Sequence, residues 1–292
     1  MRATNFPALA CAALIFVAAG GAVAVSTAAQ TAQPQATPPF MPGDDGMQNG
    51  TPVVRTRDGG SPTRLESIAV PPKSGAPFTL TLETEWVRPM SDGGSQTIVN
   101  KRKIARDSSG RVYQERWLLV PKFGSARRSQ MNAIQIYDPH AHLIYTCFTL
   151  VEPHVCNMNN YYGSADAIYK PASVRSGPLP NDIGIAYHED LGTKFVADQI
   201  TSGARDTITY NAGVLGNDRS MTVIDEHWYS DDLAVNLVSI RSDPRFGKQT
   251  FTVTKVNVAE PDPRLFDLPA GYSVVDRRPP PDASDAPAPN TQ

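Results

Sequence analysis

From Phe78 to Trp86 the chain alternates strictly: Phe78, Leu80, Leu82, Thr84 and Trp86 are interleaved with Thr79, Thr81, Glu83 and Glu85. A period of two puts one set on a buried face and the other in water, the pattern of a half-buried β-strand. Ser91-Asp92-Gly93-Gly94 then reads as a turn and Thr97 to Ala105 as the returning partner. Asp107-Ser108-Ser109-Gly110 reads as a second turn and Arg111 to Val120 as a third strand. Loops this short between extended runs make antiparallel hairpins.

The signal recurs downstream. Asn132 to Tyr137 and His142 to Leu150 flank a turn at Asp138-Pro139. Lys194 to Ile200 and Asp206 to Tyr210 flank Ser202-Gly203-Ala204. Ser220 to Tyr229 and Ala234 to Arg241 flank Ser230-Asp231-Asp232, and Gln249 to Val258 follows a turn over Asp243 to Lys248. The expected fold is mainly β: one large curved antiparallel sheet, a half-barrel or open barrel, with few short helices and disordered termini. The helical candidates lie within Asn159 to Tyr169 and at Asp262 to Phe266, and Lys170 to Gly184 reads as a long loop. In the third strand Tyr113, Trp117 and Leu119 share one side, with Val112, Leu118 and Val120 on the other. Apolar groups on both sides imply cover on both faces, by a loop, a helix or a ligand on the hollow side.

Ahead of the sheet, Met1-Arg2 gives a positive start, Phe6 to Val25 an apolar Ala-rich core, and Ser26-Thr27-Ala28-Ala29 small residues. That order predicts a signal peptide over 1–29, cleaved after Ala28 or Ala29, with an uncleaved anchor as the alternative. Cys11 lies inside the apolar core rather than at its end, so it reads as a small core residue and not a lipidation site. Residues 30–64 read as a disordered Pro/Gly-rich linker, 65–276 as a single antiparallel β domain, and 277–292 as a disordered Pro-rich tail. The expected location is periplasmic or secreted. No later apolar run approaches membrane-spanning length. A net charge of −2 gives no general electrostatic case for nucleic acid.

Cys147 and Cys156 are the cysteines beyond the signal segment. Folding a hairpin about Val151-Glu152 sets them opposite each other, and an oxidising compartment favours their disulfide. His140 and His142 are two apart on an extended segment and so share a face. With His154, or Asp138, they form a weak zinc candidate against the alternative of a solvated turn. His188-Glu189-Asp190 and Asp225-Glu226-His227 mix acids with imidazole, but neighbours along a strand face opposite sides and cannot act on one substrate atom. Lys101-Arg102-Lys103, Arg106, Lys122 and Arg127-Arg128 make the middle of the chain basic, and read as solvated charge. No nucleophile elbow, phosphate loop, dinucleotide fingerprint or zincin motif occurs. No cofactor is implied.

The second half carries a resemblance. Its residues are Glu189-Asp190-Leu191-Gly192-Thr193, Glu226-His227-Trp228-Tyr229-Ser230 and Ser242-Asp243-Pro244-Arg245-Phe246-Gly247. Glu260-Pro261-Asp262-Pro263-Arg264-Leu265-Phe266 and Leu268-Pro269-Ala270-Gly271-Tyr272 complete it. This stretch resembles an uncharacterised secreted protein family of acidobacterial type. More distantly, the closing Phe-x-x-Pro-x-Gly-Tyr is similar to the outer-membrane lipoprotein carrier and the periplasmic regulator of an envelope-stress sigma factor. The resemblance implies a half-barrel whose concave face holds acyl chains or a peptide, and no catalytic residues. The expected role is a non-enzymatic exported β-domain binding a lipid, a lipoprotein or another apolar ligand. The alternatives are a structural or protein-interaction module of the envelope, and a metal-dependent hydrolase using His140, His142 and His154.

Overall fold

The computed structural model describes residues 67–124, 128–165 and 170–279. The expected signal peptide, the linker and the tail beyond 279 lie outside the described residues.

The strands are β1 (Phe78–Pro89), β2 (Ser95–Arg106), β3 (Val112–Trp117), β4 (Val120–Pro121), β5 (Met131–Asp138), β6 (Leu143–Phe148) and β7 (Val155–Asn160). They continue with β8 (Gly177–Pro178), β9 (Gly184–Val196), β10 (Gln199–Tyr210), β11 (Met221–Ser230), β12 (Val235–Asp243), β13 (Gly247–Asn257) and β14 (Ser273–Asp276). They form one 14-stranded sheet in the order β14-β7-β6-β5-β3-β2-β1-β13-β12-β11-β10-β9-β8, with β4 also paired to β2. The sheet is curved and open. Every pairing is antiparallel except β14 with β7. Register irregularities at Thr81/Leu82, Arg116/Trp117, Gly203/Ala204 and Trp228/Tyr229 supply local bends.

β1 is the seam. The chain runs outward from it through β2, β3, β5, β6 and β7, and crosses to the far wing by the Pro-rich segment 171–183. It then returns through β9 to β13, which pairs with the other side of β1. Phe78, Leu80, Leu82, Thr84 and Trp86 are all buried, as their alternation requires. The face they define is called the inner face here.

Two stretches of the chain cover the first wing, one on each side. Over the inner face runs a strap, residues 67–76, whose Ile68 and Val70 join the cluster of Phe78, Leu80, Leu82, Ile104 and Val112. Against the outer face, Phe266 packs with Ala105, Tyr113 and Ile136. Phe266 ends a 3-10 turn, Pro263–Phe266, capped by the Asp262 side chain accepting from Arg264 N. This is the helical turn expected at Asp262 to Phe266.

Three expectations need correction. The third strand ends at Trp117, and β4 pairs with β2 instead of continuing β3. The hairpin expected at Ser202-Gly203-Ala204 turns at Ala197-Asp198, both at positive φ (47° and 64°), so Gly203 lies inside β10. No helix forms over 159–165, because β7 extends through Asn160; residues 166–169 lie outside the described residues.

Candidate ligand-binding face

Residues paired directly across a ladder point to the same face. From β1 outward, Leu80 pairs with Ile104, Leu82 with Arg102, Thr84 with Asn100 and Phe78 with Arg106. Gln114 pairs with Ile104 and with Gln135, and Gln135 with Thr146. On the other wing, Leu82 faces Val253, Thr84 faces Phe251 and Trp86 faces Gln249. The inner face therefore carries an apolar stripe beside a band of buried polar groups.

The polar band collects where two strands part. The β2–β3 ladder stops at Ile104 and Gln114, and β2 next pairs with β4 at Val99 and Val120. In the fork the backbone is satisfied by side chains. Asn100 Nδ2 donates to Trp117 O at 2.7 Å, and Arg102 Nη1 to Glu115 O at 3.4 Å. Arg102 also donates to Ser67 Oγ of the strap. Arg116 Nε donates to Gln135 Oε1 at 2.6 Å, and Tyr137 Oη to the same atom at 3.1 Å.

Arg102 and Arg116 are only 6% and 8% exposed, and Gln114 is 1% exposed. Burial holds the Arg102 guanidinium well below its ordinary pKa, and the charge of Arg116 lowers it further. Burial also lowers Arg116, against the pull of the Tyr137 hydroxyl. Glu115 is the carboxylate that acts on Arg102. Its side chain is engaged on the opposite face, accepting from Trp117 Nε1 at 2.8 Å and Lys103 N at 3.1 Å. Around the fork, Arg116 Nη2, both amide atoms of Gln114 and Asn100 Oδ1 are buried with no hydrogen-bond partner.

Arg106 is buried too, but each of its three guanidinium nitrogens has an acceptor. It donates to the carbonyls of Pro71, Ala76 and Leu233 and lies 4.6 Å from the Phe78 ring centroid. Burial draws its pKa down to about 10, so it remains charged at neutral pH. Arg106 pins the strap to the sheet. The basic run thus splits: Lys101 and Lys103 are exposed, as expected, while Arg102 and Arg106 are buried, contrary to their reading as solvated charge. Arg116 was not singled out from the sequence at all. The signal was present in the hairpin, because aligning β1 with β2 about the turn at 91–94 puts Arg102 opposite Leu82.

The far wing continues the inner face as a charged row. Gln249 pairs with Arg241, Arg241 with Asp225, Asp225 with Asp206 and Asp206 with His188. Arg241 Nη1 donates to both Asp225 oxygens at 3.1 Å. His188 Nδ1 meets Asp206 Oδ1 at 2.5 Å, and Asp206 Oδ2 accepts from Val174 N at 3.1 Å. Burial lowers the pKa of His227 against the attraction of Asp206, and His188 lowers it further. On the outer face Arg205 joins Glu189 and Glu226, each at 2.9 Å. The neighbours in both acid–imidazole runs do face opposite sides. Pairing across strands, which the sequence reading did not consider, places His188 beside Asp206.

The candidate histidines are not brought together. His140 Nε2 contacts Ser109 O at 2.8 Å, bridging two turns. Asp138 Oδ1 accepts from His140 N and Ala141 N at 2.9 Å each, so it closes its own turn. His142 precedes β6, whereas His154 lies past the Cys147–Cys156 pair at the other end of the β6–β7 ribbon. There its ring stacks on Tyr272 at 4.8 Å. Among the described residues no group of three His, Cys, Asp or Glu could hold a metal ion. Cys147 and Cys156 are register partners joined by a disulfide.

Among the described residues no helix is long and apolar enough to cross a membrane. No protein-family profile and no curated protein matches the chain. Solved structures similar to it include MucB of Pseudomonas aeruginosa in complex with MucA, at 16% identity and a TM-score of 0.33. That match covers 68% of this chain and 58% of the MucB chain, so this chain spans little more than half of MucB. LprF from Mycobacterium bovis matches at 13% identity over 65% of this chain and 90% of its own, with a TM-score of 0.26. A LolA-superfamily protein from Nitrosomonas europaea matches at 7% identity over 66% and 91%, with a TM-score of 0.27.

Proposed function

We propose that this chain is an exported, non-enzymatic β-domain of the cell envelope that holds an acyl-chain amphiphile against the inner face of its sheet. The carrying observation is the stripe Phe78, Leu80, Leu82, Trp86, Phe251 and Val253, all buried on one side of a single sheet. Over part of it lies the strap 67–76, which has no strand or helix of its own. The strap plugs the sheet with Ile68 and Val70 and is tied down through Arg106. A short irregular cover exchanges for a ligand chain at lower cost than a second sheet or a helical layer, because fewer contacts are lost. Export is supported by the leader-like first residues and by the Cys147–Cys156 disulfide.

Native mass spectrometry of protein purified gently from an envelope fraction tests this reading. The expected spectrum shows mass additions that organic extraction removes and identifies as acyl amphiphiles. Protein that is repeatedly unliganded, and that takes up no cis-parinaric acid when offered it, would overturn the reading.

A further inference from the structure

We infer that the fork between β2 and β3 is an oxyanion site, built to receive a carboxylate or phosphate through Arg102, Arg116 and Gln114. The inference rests on the amphiphile reading and deepens it by assigning the head group.

Two guanidiniums share this interior, and each is more than nine-tenths buried. Burial lowers the pKa of each, and neither makes a salt bridge to a carboxylate among the described residues. Taking such charges out of water costs several kcal/mol per ion unless an opposite charge compensates. Arg106 shows how this chain treats a structural buried arginine, with carbonyl acceptors along its guanidinium. Arg116 does not follow that pattern: Nη2 has no acceptor, and beside it neither amide atom of Gln114 has a partner. A planar guanidinium fork and an amide N–H are the donors that match an oxyanion. Gln114 is flanked by Ile104, and Arg102 by Leu82, so a chain leaving the head group would run directly onto the apolar stripe.

The head group of an amphiphile and a free anion share this chemistry, and one calorimetric experiment separates them. The intact protein is titrated with decanoate, decyl phosphate, decanol and inorganic phosphate, and the series is repeated with Arg116→Met and Gln114→Leu. The expected result is that the anionic amphiphiles outbind decanol by at least about tenfold, the scale of one charge-assisted hydrogen bond. The ratio then falls to about one in Arg116→Met. Thermal denaturation supplies the second readout. A purely structural arginine makes Arg116→Met less stable, whereas an arginine held for a ligand leaves the unliganded variant as stable or more stable.

Inorganic phosphate binding that Arg116→Met abolishes, without amphiphile binding, would keep the oxyanion site and sink the amphiphile reading. Equal affinity for decanoate and decanol, with no phosphate binding, overturns the oxyanion site even if Arg116→Met fails to fold, and leaves the apolar reading standing.

Discussion

The indole of Trp228 occupies the space that a side chain at Gly203 would need. The two residues are register partners, and a Cβ built on Gly203 would lie 2.6 Å from Cε3 and Cζ3 of that ring. Lys194 Nζ sits 3.5 Å from the centroid of the same ring, and Nε1 donates to Glu226 at 2.8 Å. Gly203→Ala should therefore destabilise the fold by about 1–3 kcal/mol, the usual cost of overpacking. Urea denaturation checks it. Trp228→Phe presents a smaller ring to the same position, so the double mutant should recover part of the loss rather than add to it.

Loss of the disulfide acts on the unfolded chain. Cys147 and Cys156 are 9 residues apart. A loop of that size accounts for about 2–3 kcal/mol in the chain-entropy model. Cys147→Ala/Cys156→Ala should lower stability by that amount while leaving the β-sheet circular dichroism intact. An unreduced, denatured sample should titrate no thiol from this pair.

Arg106→Met strands the carbonyls of Pro71, Ala76 and Leu233 in the interior. Leaving a buried acceptor without its donor costs about 1–3 kcal/mol, and the variant should lose stability on that scale. Because Arg106 pins the strap, hydrogen exchange should accelerate in Gly75, whose N–H donates to Ser108 O at 2.9 Å. Unchanged exchange there would separate the arginine from the strap.

Stability should fall on mild acidification through His227. Burial holds its pKa below the ordinary histidine value of 6.5. Between the folded value and 6.5 the unfolded chain binds a proton that the native state lacks, so stability rises with pH across that window. The contribution is complete above pH 6.5 and is lost as pH falls toward the folded value. Asp225, raised by burial, works in the opposite sense in the acid range, so His227→Gln is compared with the parent at each pH. The variant should show a flatter pH profile of the denaturation midpoint.

Most of the sheet was legible because alternation and turn residues agree. The β1–β2 hairpin, the β5–β6 and β11–β12 hairpins and the Cys147–Cys156 pairing all follow from that agreement. The β9–β10 turn was misread for a physical reason. Its central residues, Ala197 and Asp198, adopt positive φ without the glycine or asparagine that normally marks such a turn. The nearby Gly203 looked like that marker but serves Trp228 instead. The candidate site was hidden in pairings between strands. Arg102 gained its meaning from Leu82 and Arg116, and His188 from Asp206, neither of which is a sequence neighbour.

The tryptophans allow the most direct test of the inner-face reading. The chain has 3 tryptophans. Trp86 points to the inner face, while Trp117 and Trp228 donate to Glu115 and Glu226 on the outer face. Titration with a chain-brominated stearate, followed by tryptophan emission, reports which face the acyl chain meets. Saturable quenching is expected in Trp117→Phe/Trp228→Phe, which retains only Trp86, and its loss is expected in Trp86→Phe. Quenching that survives in Trp86→Phe, or that is absent from the double variant, would contradict acyl-chain binding on the inner face.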